Sequence, residues 1–274
     1  LETFEDKFKK PVADYYSGLK GGKAEKAEKV LQSQYWSYSV PGYPALVSID
    51  TRTDRSYASD GGTPKLMSER GFNWLKKTLT DLGARFQDQR EEQTLLLLSP
   101  APVFGFKPIE MIQKELVAFF KSGETAVDAE YWSANEETYE GFLQTLDDNA
   151  FTRDVIFLSG DVHYSYCVLE TEIGKEKGGA DRYIQVTSSA ICNHPSESGA
   201  WFMELIDDHM DRTPDFSYLV AQGQKRVVNP DNSVGALWFS DGVPVQAIGH
   251  FFDPKKKVPY KWVYNLKKPV LKNA

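Results

Sequence analysis

Val155, Ile156, Phe157 and Leu158 form an unbroken apolar run that ends at Ser159 and Gly160. Four apolar residues in succession leave no polar face for water, so this stretch predicts a strand buried on both sides within an α/β sheet. The chain must therefore supply layers above and below it. The same stretch constrains function, because its carboxyl end opens into Gly160-Asp161-Val162-His163. Ligands of α/β sheets gather at the carboxyl ends of strands. In extended backbone, residues two apart point to one side, so Asp161 and His163 are expected to face together. A carboxylate and an imidazole so placed can share one metal ion or serve two adjacent ones. The plainer alternative is a turn in which Asp161 caps backbone N–H groups and a half-buried His163 bonds a carbonyl.

Around this strand the pattern alternates. Residues 1–34 carry Phe4, Phe8, Val12 and Leu19 at helical spacing, interrupted by Gly21-Gly22. Residues 35–40 alternate aromatic and polar side chains, as an edge strand does, and residues 45–50 predict the next strand. Ser68 is placed to cap a helix with Phe72, Leu75, Leu79 and Leu82 on one stripe, and Gly83 is expected to end it. A purely apolar strand over 94–98 leads into Ser99-Pro100-Ala101-Pro102, a stiff exit loop in which no His–acid pair activates Ser99 as a nucleophile. Helices follow over 109–120 and, capped by Asn135, over 136–146. Beyond the Asp161 loop, strands are expected over 164–170 and 183–186 and an apolar helix over 201–210. A small antiparallel set then turns at Asp241-Gly242 and at a lysine-rich loop, with His250 packed in an aromatic strand. Strand–helix alternation from residue 45 to 170 argues for an α/β fold with strands partly parallel.

Composition narrows the partners. With 274 residues and 41% apolar content, the chain suffices for one large domain or two small ones. A net charge of −7 leaves no electrostatic footprint for nucleic acid and weakens the case for an anionic membrane surface. No run of about 18 apolar residues exists to span a membrane. Cys167 and Cys192 both fall at predicted strands, and their pairing is left open beside two buried free thiols. The first residue is Leu rather than Met, so a piece of a longer chain is expected, and its compartment, secreted or cytoplasmic, stays open.

Arg52 follows the 45–50 strand, where its guanidinium could grip phosphate oxygens; the alternative is a local pair, Asp50–Arg52 or Asp54–Arg55. The hydroxyl-rich end Thr187-Ser188-Ser189 could position a phosphate or satisfy backbone groups.

Leu158-Ser159-Gly160-Asp161-Val162-His163-Tyr164-Ser165 resembles the late metal-binding motif of PhoD-like metallophosphatases, a branch of the calcineurin-type metallophosphoesterases. That branch writes Gly-Asp-x-His where most of the superfamily writes Gly-His-x-His. Asp50, Arg52 and Arg55 are similar to its Asp-x-Arg-x-x-Arg pattern, and the Ser99 loop to one near its substrate entrance. Asp128, Glu130 and Trp132 resemble its acidic-plus-Trp stretch, although helix caps and a core Trp are the plainer and more frequent explanation. Asn193 matches the end of a Ser-Ser-x-x-x-Asn stretch, with His194 beside it.

The resemblance covers residues 40–206. It implies a four-layer β-sandwich flanked by helices, incomplete at its N-terminal half, with a small antiparallel C-terminal extension. The implied division is a helical lead-in over 1–40, the C-terminal portion of a catalytic domain over 41–210, and the extension over 211–274. It also implies two metal ions, Fe, Mn or Ca in preference to Zn, that hydrolyse a small phosphate ester. His163 would serve the first metal, Asp161 the second, and Arg52 and Asn193 the substrate. The family's early metal motifs are missing from residues 1–40, so the remaining ligands are expected upstream and the chain alone is expected to be inactive. A non-catalytic binding domain with the same fold is the alternative.

Overall fold

The computed structural model describes residues 36–55, 65–89, 93–106, 132–171, 173, 179–188 and 217–271, with Ala13 and Ser17. The helices expected over 1–34, 109–120 and 201–210, and the candidates Asp128, Glu130, Cys192, Asn193 and His194, lie outside the described residues.

Four parallel strands form the centre of a seven-stranded mixed sheet: β2 (Ala45–Ser48), β3 (Thr94–Leu98), β4 (Asp154–Ser159) and β6 (Arg182–Thr187). Antiparallel strands flank them. β1 (Tyr38–Val40) pairs with β2 on one side; β5 (Tyr166–Glu170) and β7 (Ser217–Tyr218) extend the other, in the order β1-β2-β3-β4-β6-β5-β7. β8 (Asn232–Ser240), β9 (Val243–Asp253) and β10 (Val258–Asn265) make a separate antiparallel sheet.

The apolar run of β4 faces two cores, as its composition requires. Val155 and Phe157 join the core beneath helices α1 (Glu69–Phe86) and α2 (Glu136–Asp148), with Leu75, Leu79, Phe142 and Leu146. Ile156 faces the other way, into a core with Ala247, Phe251, Trp262 and Tyr264 of the three-stranded sheet. Each fully buried side chain of this kind contributes about 1.5–3 kcal/mol. Helices, large sheet and small sheet thus form three layers among the described residues, and no described helix covers the outside of the small sheet. No described helix is long and apolar enough to cross a membrane.

Local signals place most boundaries. The Ser68 hydroxyl accepts from the Gly71 N–H at 3.2 Å, and the Asn135 side chain accepts from the Thr138 N–H at 3.0 Å, capping the two helices. Asp241 and Gly242, with φ of 52° and 77°, make the tight β8–β9 turn. Two expectations fail. α1 runs through Gly83 to Phe86, because a side chain at Gly83 would meet Phe151 at 3.3 Å while Phe86 stacks on Phe151. That glycine answers a packing contact rather than a stop. His250 is exposed on the outer face of β9 instead of packed among aromatics, since its cross-strand neighbours are Val234 and Lys261.

Candidate functional site

The carboxyl ends of β3, β4 and β6 stay zipped beyond the strands. The Ser99 N–H donates to the Leu158 carbonyl, Gly160 N–H to Pro100, and Ser188 N–H to Ser159, at 3.0–3.1 Å. The Ser99–Pro102 loop therefore supports Gly160 from below. The loop itself is packed inward: Ala101, Val103, Phe104 and Phe106 are buried, and the Gln185 side chain both donates to and accepts from the Phe104 backbone. Ser99 is spent internally, donating to the Ala101 carbonyl at 2.6 Å and accepting from the Trp132 indole at 3.1 Å. Trp132 is core, stacked on Phe142.

On this base the chain makes an irregular loop. Asp161 and His163 have φ of 69° and 61°, in the left-handed region, so the expectation of an extended backbone is wrong. Asp and His are among the few residues that visit this region with tolerable strain. The consequence resembles the expected one by another route. Val162 and Tyr164 anchor inward against the helix-side core, and both Asp161 and His163 are left exposed.

Arg52 reaches this loop from the end of β2. Its guanidinium contacts the Asp161 carboxylate at 3.1 Å, with both side chains about half exposed. The local pairs considered from sequence do not form. Asp50 accepts backbone N–H groups instead, from Arg52 at 3.0 Å, Thr53 at 2.7 Å and Trp36 at 3.2 Å, together with the Thr53 hydroxyl. Burial by itself would raise the Asp50 pKa; these bonds outweigh it and hold the carboxyl below its usual range. Asp54, which the sequence offered only as an Arg55 partner, accepts from the Ser68 N–H and hydroxyl at 2.9 and 2.7 Å. It ties the Arg52 loop to the start of α1, where the helix dipole favours a carboxylate. A Ser/Thr cap with an acid upstream was the only sequence signal for it.

A two-cation centre needs several protein ligands. Among the described residues no group of three or more His, Cys, Asp or Glu side chains is positioned to hold a metal ion. The oxygens of Asp50 are already taken by N–H groups of its own loop and of Trp36, whereas Asp161 makes an exposed contact with Arg52. The described residues alone do not fit a binuclear centre. Cys167 is a buried free thiol, and its burial pushes its pKa up.

No protein family and no curated protein matches this sequence. A solved structure titled "Structure of PhoD" is similar over 91% of this chain at 12% identity and a TM-score of 0.38. The similarity covers 48% of that structure's chain, so this chain spans about half its length.

Proposed function

We propose that this chain carries part of a centre that hydrolyses phosphate esters with bound metal ions, the other ligands coming from outside the described residues. The observation that supports it is the meeting of Arg52 and Asp161 at the carboxyl ends of β2 and β4, beside an exposed His163. Arg52 is the phosphate-binding group: a planar, permanently charged guanidinium suits phosphate oxygens. Asp161 and His163 are the metal-binding pair and Asn193 a second substrate contact. Two side chains do not make such a centre, so the hydrolytic step belongs to the completed site.

In a longer polypeptide that includes upstream sequence and turns over a phosphodiester, His163→Ala should lower kcat by more than about 100-fold with the fold retained. Arg52→Ala should chiefly raise KM. Wild-type turnover in a folded His163→Ala variant removes the assignment.

A second reading is a non-catalytic phosphate-binding domain, supported by the half-exposed Arg52 guanidinium at the strand ends. It requires residues 1–274 to bind inorganic phosphate without metal and to lose that binding in Arg52→Ala. Calorimetry on the metal-stripped chain decides between the two.

A further inference from the structure

The two sheets have four outer edges among the described residues, and three of them are guarded. β1 and β7 are only three and two residues long. β10 carries Pro259 and Lys261 and follows the lysine-rich turn 255–257. Short strands, proline and lysine are the usual means of keeping an edge from pairing with another chain. β8 has none of them. It is nine residues long, holds no charged side chain and no proline, and is paired only with β9 among the described residues. In a chain that is 26% charged, such a strand is conspicuous.

Its two faces are also underused. Val234 and Trp238 on the outer face are 54% and 59% exposed. On the inner face an open cavity of about 550 Å³ runs along β8, walled by Leu96, Leu158, Leu237 and Phe239. Among the described residues, the small sheet leaves this stretch of the large sheet's apolar face uncovered by a strand.

We propose that β8 pairs edge to edge with β8 of a second copy of this chain, joining two three-stranded sheets into one of six strands. A two-fold axis between identical strands makes them antiparallel and closes the assembly at a dimer. Centred on Leu237, the pairing sets the two Leu237 side chains together above the cavities and places each Trp238 opposite the other copy's Ala236, large against small on the outer face. Because β8 is uncharged, self-pairing brings no like charges together despite the net charge of −7.

Sedimentation velocity on the full 274-residue chain tests this. A concentration-dependent dimer is expected, and the doubly exposed variant Val234→Lys/Trp238→Lys should run as a monomer with an unchanged circular-dichroism spectrum. In a Cys192→Ser background, Leu237→Cys should form an intermolecular disulfide on mild oxidation, while Val258→Cys, exposed on β10, should not. A wild-type chain that stays monomeric across the concentration range overturns the proposal. So does a dimer that survives both lysines, or equal cross-linking from Val258→Cys.

Discussion

Arginine meets aspartate at both ends of β4, and the two pairs are built for different purposes. At the amino end, Arg182 grips Asp154 with two hydrogen bonds of 2.7 and 2.6 Å and donates a third, at 2.8 Å, to the Leu266 carbonyl beyond β10. Asp154 is 2% exposed and Arg182 20%. The hydrogen bonds to Asp154 raise the Arg182 pKa above its ordinary value, against the opposing effect of burial. That pair fastens β4 and β6 of the large sheet to the small one. At the carboxyl end, Arg52 makes a single 3.1 Å contact with Asp161, both in reach of water. A buried bidentate pair is a staple, whereas an exposed pair on a left-handed loop can exchange partners with a ligand at little cost.

The comparison breaks most easily at its strong end. Arg182→Ala leaves the Asp154 carboxylate buried without its partner and should lower unfolding free energy by about 3–5 kcal/mol in urea denaturation. Replacing both residues with apolar side chains (Asp154→Leu with Arg182→Met) should lose less than the single variant, which would show that the penalty is the orphaned charge. A loss below that of an exposed pair would mean the two ends are not different in kind.

Next in size is Gly71→Ala, which probes how firmly the Arg52 loop is held. A methyl there would collide with an Asp54 carboxylate oxygen and with the Met67 side chain, so Asp54 or the first turn of α1 must move. The expected loss is about 1–3 kcal/mol by thermal denaturation.

Asp50 supplies a pH test of the same loop. Its folded pKa is lowered, so its stabilisation is present above the ordinary carboxylate value of about 4 and is lost as pH falls through the lowered folded value. Denaturation across acidic pH should show a shallower acid loss in Asp50→Asn than in wild type, from a lower starting stability. Parallel curves would mean that Asp50 does not carry this dependence.

Smallest in stability is Arg52→Ala, expected to cost less than about 1 kcal/mol because the pair is exposed. If Arg52 serves the proposed site, its larger effect will be on binding of inorganic phosphate, read by calorimetry. A loss equal to that of Arg182→Ala would make Arg52 a staple and remove it from the site.

Much of this molecule is governed by neighbours a few residues apart, and those parts were legible in the sequence. The apolar runs of β3 and β4, the Ser68 and Asn135 caps and the Asp241-Gly242 turn each follow from local backbone physics. The α/β alternation followed from the same signals. Where a local rule misled, a distant contact had overridden it: Phe151 explains Gly83 inside α1. The packing of the Ser99–Phe106 loop against Gln185 is likewise a tertiary contact that no local signal encodes. The candidate site divides in the same way. A strand ending in Gly160-Asp161-Val162-His163 marks where chemistry would be placed, since strand ends are readable from composition. That Arg52 meets Asp161 across 109 residues, while Asp50 turns to the backbone of its own loop, was decided by the tertiary structure alone. Such a pair depends on the register and order of β2, β3 and β4 in the sheet, and no spacing along the chain encodes a distance between two loops that only strand pairing brings together.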